Sequence, residues 1–251
     1  MKQASVLCLS SAVLAILWLV PRQVQAQQEP DPSKILLKDY RPVSLHKTPA
    51  TAIPKAKYPA IDVHSHPYRK TPEEVARWVK IMEKVGIERT VILTQASGRQ
   101  FDSLYAMYSK HPQRFELWCG FDYSGYDKPG WSQNAVAELE RCVKLGARGV
   151  GEEGDKGKGA RFGKAPGMHF DDPRMDPLFE KCAELKLPVN VHVADPIWMY
   201  QKMDATNDGL MNALNWRLDN QPGIVDLTGM IDILERTVKK HPRTTFIATH
   251  F

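Results

Sequence analysis

The residues best suited to chemistry in this chain are histidines, and two of them stand two apart in Ile61-Asp62-Val63-His64-Ser65-His66. In a β-strand residues i and i+2 share one face, so His64 and His66 are expected to project together. Two imidazoles on a stiff strand can hold one divalent metal ion at little cost in side-chain entropy. A His-x-His pair is common by chance, and its weight here comes from repetition. Val189-Asn190-Val191-His192 and Phe246-Ile247-Ala248-Thr249-His250 are apolar runs that also end in histidine, and Gly149-Val150-Gly151-Glu152 ends in a carboxylate. Ligand types at four strand ends predict a metal centre. The other histidines carry less. His111 and His241 each precede proline at a helix terminus, where capping is the expectation. His46 and His169 lie in loops without a signal.

Such residues need a scaffold that brings distant strand ends together, and the alternation of apolar runs with amphipathic stretches supplies one. Ala60–His66 reads as the first strand. Thr71-Pro72-Glu73-Glu74 opens a helix with a capping box and proline at its first position, and Gly86 closes it. Further strands are expected at Thr90–Leu93, Phe115–Phe121, Ala147–Glu152, Pro188–Val193 and Thr244–Thr249, with helices over about 101–110, 133–145, 172–186 and 227–240. Apolar strands between amphipathic helices indicate parallel βαβ units buried on both faces. Polar residues at the C-terminal ends of strands one, four, five and six suit a barrel with its chemistry on one face. A doubly wound sheet would carry a glycine fingerprint after the first strand, and none stands there. The predicted fold class is α/β, a TIM-type (β/α) barrel with about six of eight units present. Two more units need roughly 60 residues, so residues 59–251 are expected to be a C-terminally incomplete piece of a larger barrel.

Composition sets outer bounds. At 43% hydrophobic and 25% charged residues the chain is of ordinary globular make-up. Residues 1–26 read as a signal peptide: Lys2 is a short basic start, Leu7 to Val20 is almost wholly apolar, and Val24-Gln25-Ala26 offers small residues for cleavage. The polar Gln27-Gln28-Glu29 favours cleavage over a retained anchor, which leaves no stable membrane span. Export to the periplasm or the medium is the expectation. Residues 27–58, rich in Pro, Lys and Gln, read as a linker or a strap lying on the domain. Cys119, Cys142 and Cys182 are too few and too widely spaced for a disulfide framework. Removing Lys2 and Arg22 with the leader lowers the net charge of +5 to +3, too mild for a nucleic-acid partner.

The same segments resemble the amidohydrolase superfamily, in particular the amidohydrolase-related group that includes the aminocarboxymuconate-semialdehyde decarboxylase-like proteins. The resemblance covers about residues 60–251. It is carried by the 61–66 motif, Gly146-Ala147-Arg148-Gly149-Val150-Gly151, Asp172-Pro173-Arg174-Met175-Asp176-Pro177-Leu178, Leu187-Pro188-Val189-Asn190-Val191-His192 and Ala248-Thr249-His250. It implies that His64 and His66 are paired metal ligands and His192 a third. His250 would be the catalytic residue, either binding a second ion or polarising the substrate. Glu152 stands about where the family often carries a metal-bridging lysine, which implies a carboxylate ligand there. The family's aspartate at the end of strand eight has no counterpart in the sequence, so the chain as given is expected to be nearly inactive. The implied cofactor is one or two divalent ions, zinc first, with manganese or iron as substitutes. The implied reaction is hydrolysis of an amide, ester or lactone in a small molecule by metal-activated water. Decarboxylation of an unsaturated carboxylic acid is the alternative within the same group.

Two loops bear on the substrate. Glu153–Gly167 carries Lys156, Lys158, Arg161 and Lys164 against Glu153 and Asp155. It reads as a solvated glycine-rich loop, or more sharply as the source of a cation for a substrate carboxylate. Ile197–Gly223 holds Trp198, Met199, Tyr200, Met203 and Trp216 and reads as a lid over a small-molecule substrate. A PHP-type phosphoesterase would need an Asp-His pair where Thr94-Gln95 stands. A TatD-like phosphodiesterase shares the His-x-His and the strand-four glutamate, but the mild charge and aromatic lid argue for a small molecule. A non-catalytic exported binding module and a homo-oligomer stay open.

Overall fold

The structure is a computed structural model describing residues 31–45, 47–49, 57–194 and 196–249, the side chain at 213 excepted. The expected signal peptide, part of the 27–58 segment, His46 and His250 lie outside the described residues. The fold is α/β. Strands β1 (Ala60–Ser65), β2 (Ile87–Leu93) and β3 (Phe115–Trp118) form one parallel sheet, and β4 (Val150–Asp155), β5 (Val189–Val193) and β6 (Phe246–Ala248) form a second. The sheets meet where Cys119 N–H donates to the Gly149 carbonyl at 3.0 Å and Gly151 N–H donates to the Cys119 carbonyl at 2.7 Å. The connecting helices are α1 (Pro72–Val85), α2 (Gly98–Tyr108), α3 (Trp131–Leu145), the short α4 (Ala160–Gly163), α5 (Asp176–Glu184), the short α6 (Leu210–Ala213) and α7 (Leu227–Lys240).

Local sequence explains the firmest boundaries. Thr71 caps α1 by accepting the Glu74 N–H at 3.3 Å, and Gly86 ends it in a left-handed conformation, φ 82°, with its N–H on the Met82 carbonyl. Asp226 caps α7, whose Met230, Ile233, Leu234 and Thr237 fall on one buried face at helical spacing. These faces join a core that contains Phe101, Tyr108, Phe121, Phe170 and Phe179.

Three expectations need correction. Strand β3 stops at Trp118 rather than Phe121, because the chain there turns against the end of β2. A Cβ at Gly120 would lie 2.6 Å from the Gln95 backbone. Strand β4 starts and ends three residues later than expected, so Glu153 and Asp155 are buried strand residues and not the start of a solvated loop. Strand β1 is not buried on both faces, since Ile61 and Val63 are exposed.

Candidate metal centre and substrate cavity

His64 and His66 leave the end of β1 on the same side, as their spacing requires, and face Glu152 on β4. His64 Nε2 lies 3.6 Å from Glu152 Oε1, and His66 Nε2 lies 3.7 Å from Glu152 Oε2. One ligand atom from each of the three residues falls within 4.8 Å of the other two. Donors about 2.0–2.2 Å from a shared ion stand roughly 3–4 Å apart, so the group fits a divalent metal. The tautomer fits as well. His66 Nδ1 is 3.1 Å from the Leu93 carbonyl oxygen. A carbonyl only accepts, so Nδ1 carries a proton, and Nε2, on the side of Glu152, is the nitrogen left for an ion.

Glu152 is held from two further directions. Gln95 Nε2 donates to Oε2 at 3.2 Å, and His192 Nδ1 sits 2.5 Å from Oε1. Lys156 Nζ is 2.7 Å from His192 Nε2. An ammonium only donates, so Nε2 accepts and Nδ1–H donates to the carboxylate. Burial pushes the Glu152 carboxyl up, but the opposing pull, led by the His192 hydrogen bond, outweighs it and holds Glu152 below its ordinary value. The structure therefore brings four predicted residues together: His64, His66 and Glu152 as a donor group, and His192 as the partner of Glu152. His250 is outside the described residues.

The same strand carries two more acids. Glu153, on the opposite face from Glu152, accepts the Phe121 N–H and the Tyr123 hydroxyl, each at 2.9 Å. Burial pushes its carboxyl up to about 7, against the pull of the Arg161 charge and these two hydrogen bonds. Asp155 accepts the N–H groups of Gly157 at 2.9 Å and Gly159 at 3.1 Å, and His169 Nδ1 lies 2.7 Å from its other oxygen. That contact holds the His169 pKa above its usual value. Sequence reasoning passed over His169 and Gln95. His169 meets Asp155 only because a glycine-rich loop folds back, while Gln95 reaches Glu152 because its own N–H bonds the Gly151 carbonyl at 3.0 Å.

A cavity of about 730 Å³ opens beside the centre. Gln95, Glu152 and His192 form its polar end, Lys156 and Lys158 stand at its side, and Phe162, Trp198, Met199, Trp216 and Leu218 make an apolar wall. Gln221 also lines it. Its Nε2 donates to the Arg217 carbonyl at 2.7 Å, and its Oε1 is the one buried side-chain oxygen without a partner among the described residues.

A family model described as Amidohydrolase matches residues 42–251. The chain belongs to the amidohydrolase family. That family is typically metal-dependent, and His64, His66 and Glu152 are a group able to bind such an ion. No curated protein matches the chain. Among solved structures, 2,6-dihydroxybenzoate decarboxylase from Rhizobium is similar at 18% identity and a TM-score of 0.47, over 76% of this chain and 66% of that one. An amidohydrolase from Mycobacterium avium subsp. paratuberculosis K-10 is similar at 15% identity and a TM-score of 0.41, over 69% of this chain and 46% of that one. The chain thus spans about two thirds of the decarboxylase's length and under half of the mycobacterial protein's. Among the described residues no helix is long and apolar enough to cross a membrane.

Proposed function

We propose that this chain carries the metal centre of a metal-dependent hydrolase for a small molecule, with His64, His66 and Glu152 holding a divalent ion, zinc in the first instance. The observation that carries this reading is the pair of imidazole Nε2 atoms facing the two oxygens of one buried carboxylate. When bound, such an ion lowers the pKa of water toward neutrality and polarises a carbonyl oxygen. The chain's own residues do the rest. Leu93 fixes the tautomer of His66, and Gln95 and His192 hold the carboxylate of Glu152 in place. Family resemblance assigns His192 a third-ligand role, for which one of its ring nitrogens would exchange its present partner, Glu152 or Lys156, for the ion. His250 is proposed to polarise the substrate, on sequence alone.

The cavity supports an apolar substrate bearing a carboxylate. Its wall is aromatic, and Lys158 offers a cation. The same features favour decarboxylation as the second reading. We also propose closure into a TIM-type barrel, and export with cleavage after Ala26, which N-terminal sequencing of the natively produced protein tests. The central experiment measures metal content, then turnover of amides, esters, lactones and unsaturated carboxylic acids before and after chelation and zinc return. Metal bound near stoichiometry, with chelator-sensitive hydrolysis, is expected. Absence of bound metal after zinc return overturns the reading, and carbon dioxide release without hydrolysis selects the decarboxylase.

A further inference from the structure

We propose that residues 31–43 form a clasp that holds the roof of the cavity, with Tyr40 as its positioning residue. The segment runs through two short 3-10 turns, Pro32–Lys34 and Leu37–Asp39, neither with a buried residue, and Leu36 and Leu37 stay exposed. Apolar burial therefore does little to hold it, and its grip is largely polar. Arg41 N–H donates to the Ala205 carbonyl at 2.7 Å, and Val43 N–H donates to the Thr206 carbonyl at 3.0 Å. The Tyr40 hydroxyl lies 3.2 Å from the carbonyl oxygens of both Asn207 and Asp208. All of these contacts fall on residues 205–208, some 167 positions away in sequence.

From there Asn207 passes the hold to the cavity wall. Its buried side chain donates to the carbonyls of Trp198 and Lys202, both at 3.0 Å, and accepts the Gly209 N–H at 2.8 Å. Trp198 and Met199 line the cavity. The Met199 carbonyl accepts the N–H groups of Leu218 at 2.8 Å and Asp219 at 3.2 Å, which ties in the second limb carrying Trp216 and Leu218. Gln221 stands between the substrate cavity and a second one lined by Asp31, Pro32 and Ser33 of the strap. The strap, Asn207 and both limbs of the roof make one connected polar path. Segments held mainly by a few hydrogen bonds open at lower free energy than a packed core, so releasing the strap should loosen the roof and leave the sheets intact. The bearing of this clasp on substrate rests on the function proposed above; the contacts themselves do not.

Hydrogen exchange on the full chain tests it, comparing wild type, Tyr40→Phe and Tyr40→Ala over residues 40–43, 198–219 and 87–93. Loss of the hydroxyl in Tyr40→Phe should raise exchange in the strap and the roof about threefold, and Tyr40→Ala about tenfold, with β2 unchanged. Unchanged roof exchange in Tyr40→Ala overturns the clasp. So does a rise shared equally by β2, which would mark a general loss of stability, or unprotected Arg41 and Val43 amides in the wild type. Metal content measured on the same samples keeps the two proposals apart. A chain without metal but with this exchange pattern loses the hydrolase reading and keeps the clasp.

Discussion

Strands β1 and β4 both supply the candidate centre, and they do it in opposite ways. Strand β1 alternates, with Ile61 57% and Val63 66% exposed, and its two histidines sit at a half-open rim. Strand β4 is buried at all six positions and carries three acids. A neutral imidazole loses little on partial burial, so spacing alone can place it. A carboxylate inside a protein must be met by donors or it does not stay charged. Each acid of β4 has them: Gln95 and His192 for Glu152, Phe121 and Tyr123 for Glu153, and Gly157, Gly159 and His169 for Asp155. The first region is built by local geometry, the second by a network gathered from four segments.

Mutations at the two strands should fail differently. The largest effect expected is on metal: His64→Ala/His66→Ala should abolish bound ion, while the thermal unfolding midpoint compared between the metal-free proteins moves little, read by elemental analysis beside calorimetry. Retained stoichiometry would show that these histidines are not ligands. Next comes Asp155→Ala, which leaves two buried N–H groups and one imidazole without their acceptor and should cost about 3–5 kcal/mol in denaturant unfolding. Asp62→Ala on β1 removes only the bond from the His64 N–H and should cost about 0.5–1.5 kcal/mol. Equal losses would erase the contrast.

A smaller effect tests the charge of the pair. The Asp155 contact raises the folded-state pKa of His169 above its unfolded value, so its contribution is complete below the unfolded pKa and is lost as pH rises through the folded one. His169→Asn should cost about 1–2 kcal/mol at pH 6 and clearly less at pH 9. A cost independent of pH would mean that packing, not the charged imidazole, holds the loop. Smallest of all, Val63→Thr on the exposed face of β1 should stay within about 0.5 kcal/mol. Val191→Ala in the buried β5 should cost about 2 kcal/mol or more. Differential scanning fluorimetry suffices to separate them, and a large loss at Val63 would reveal a covering partner.

Much of the scaffold was legible. Thr71, Pro72 and Gly86 mark the ends of α1, and the period of Met230, Ile233, Leu234 and Thr237 marks α7, because capping and amphipathic spacing act within a few residues. The start of β4 is not legible in the sequence, because Ala147, Val150 and Gly151 look equally strand-like. Only the register with β5, where Val150 pairs with Val189, settles where the ladder runs.

The donor group divides along the same line. That His64 and His66 share a side follows from the sequence by itself, since the pleat of any strand turns residues two apart to one face. That Glu152 is a candidate ligand follows from its place at a strand end, but which of its oxygens faces which imidazole, that Glu153 and Asp155 are interior, that Gln95 and His169 matter, and that Tyr40 touches a roof made by residues 205–208 were decided by the tertiary structure alone. Side-chain direction is a property of covalent geometry and can be read off a few residues. Burial, a protonation state and a hydrogen-bond partner depend on which distant segments become neighbours, and that is settled only when the sheets and loops pack.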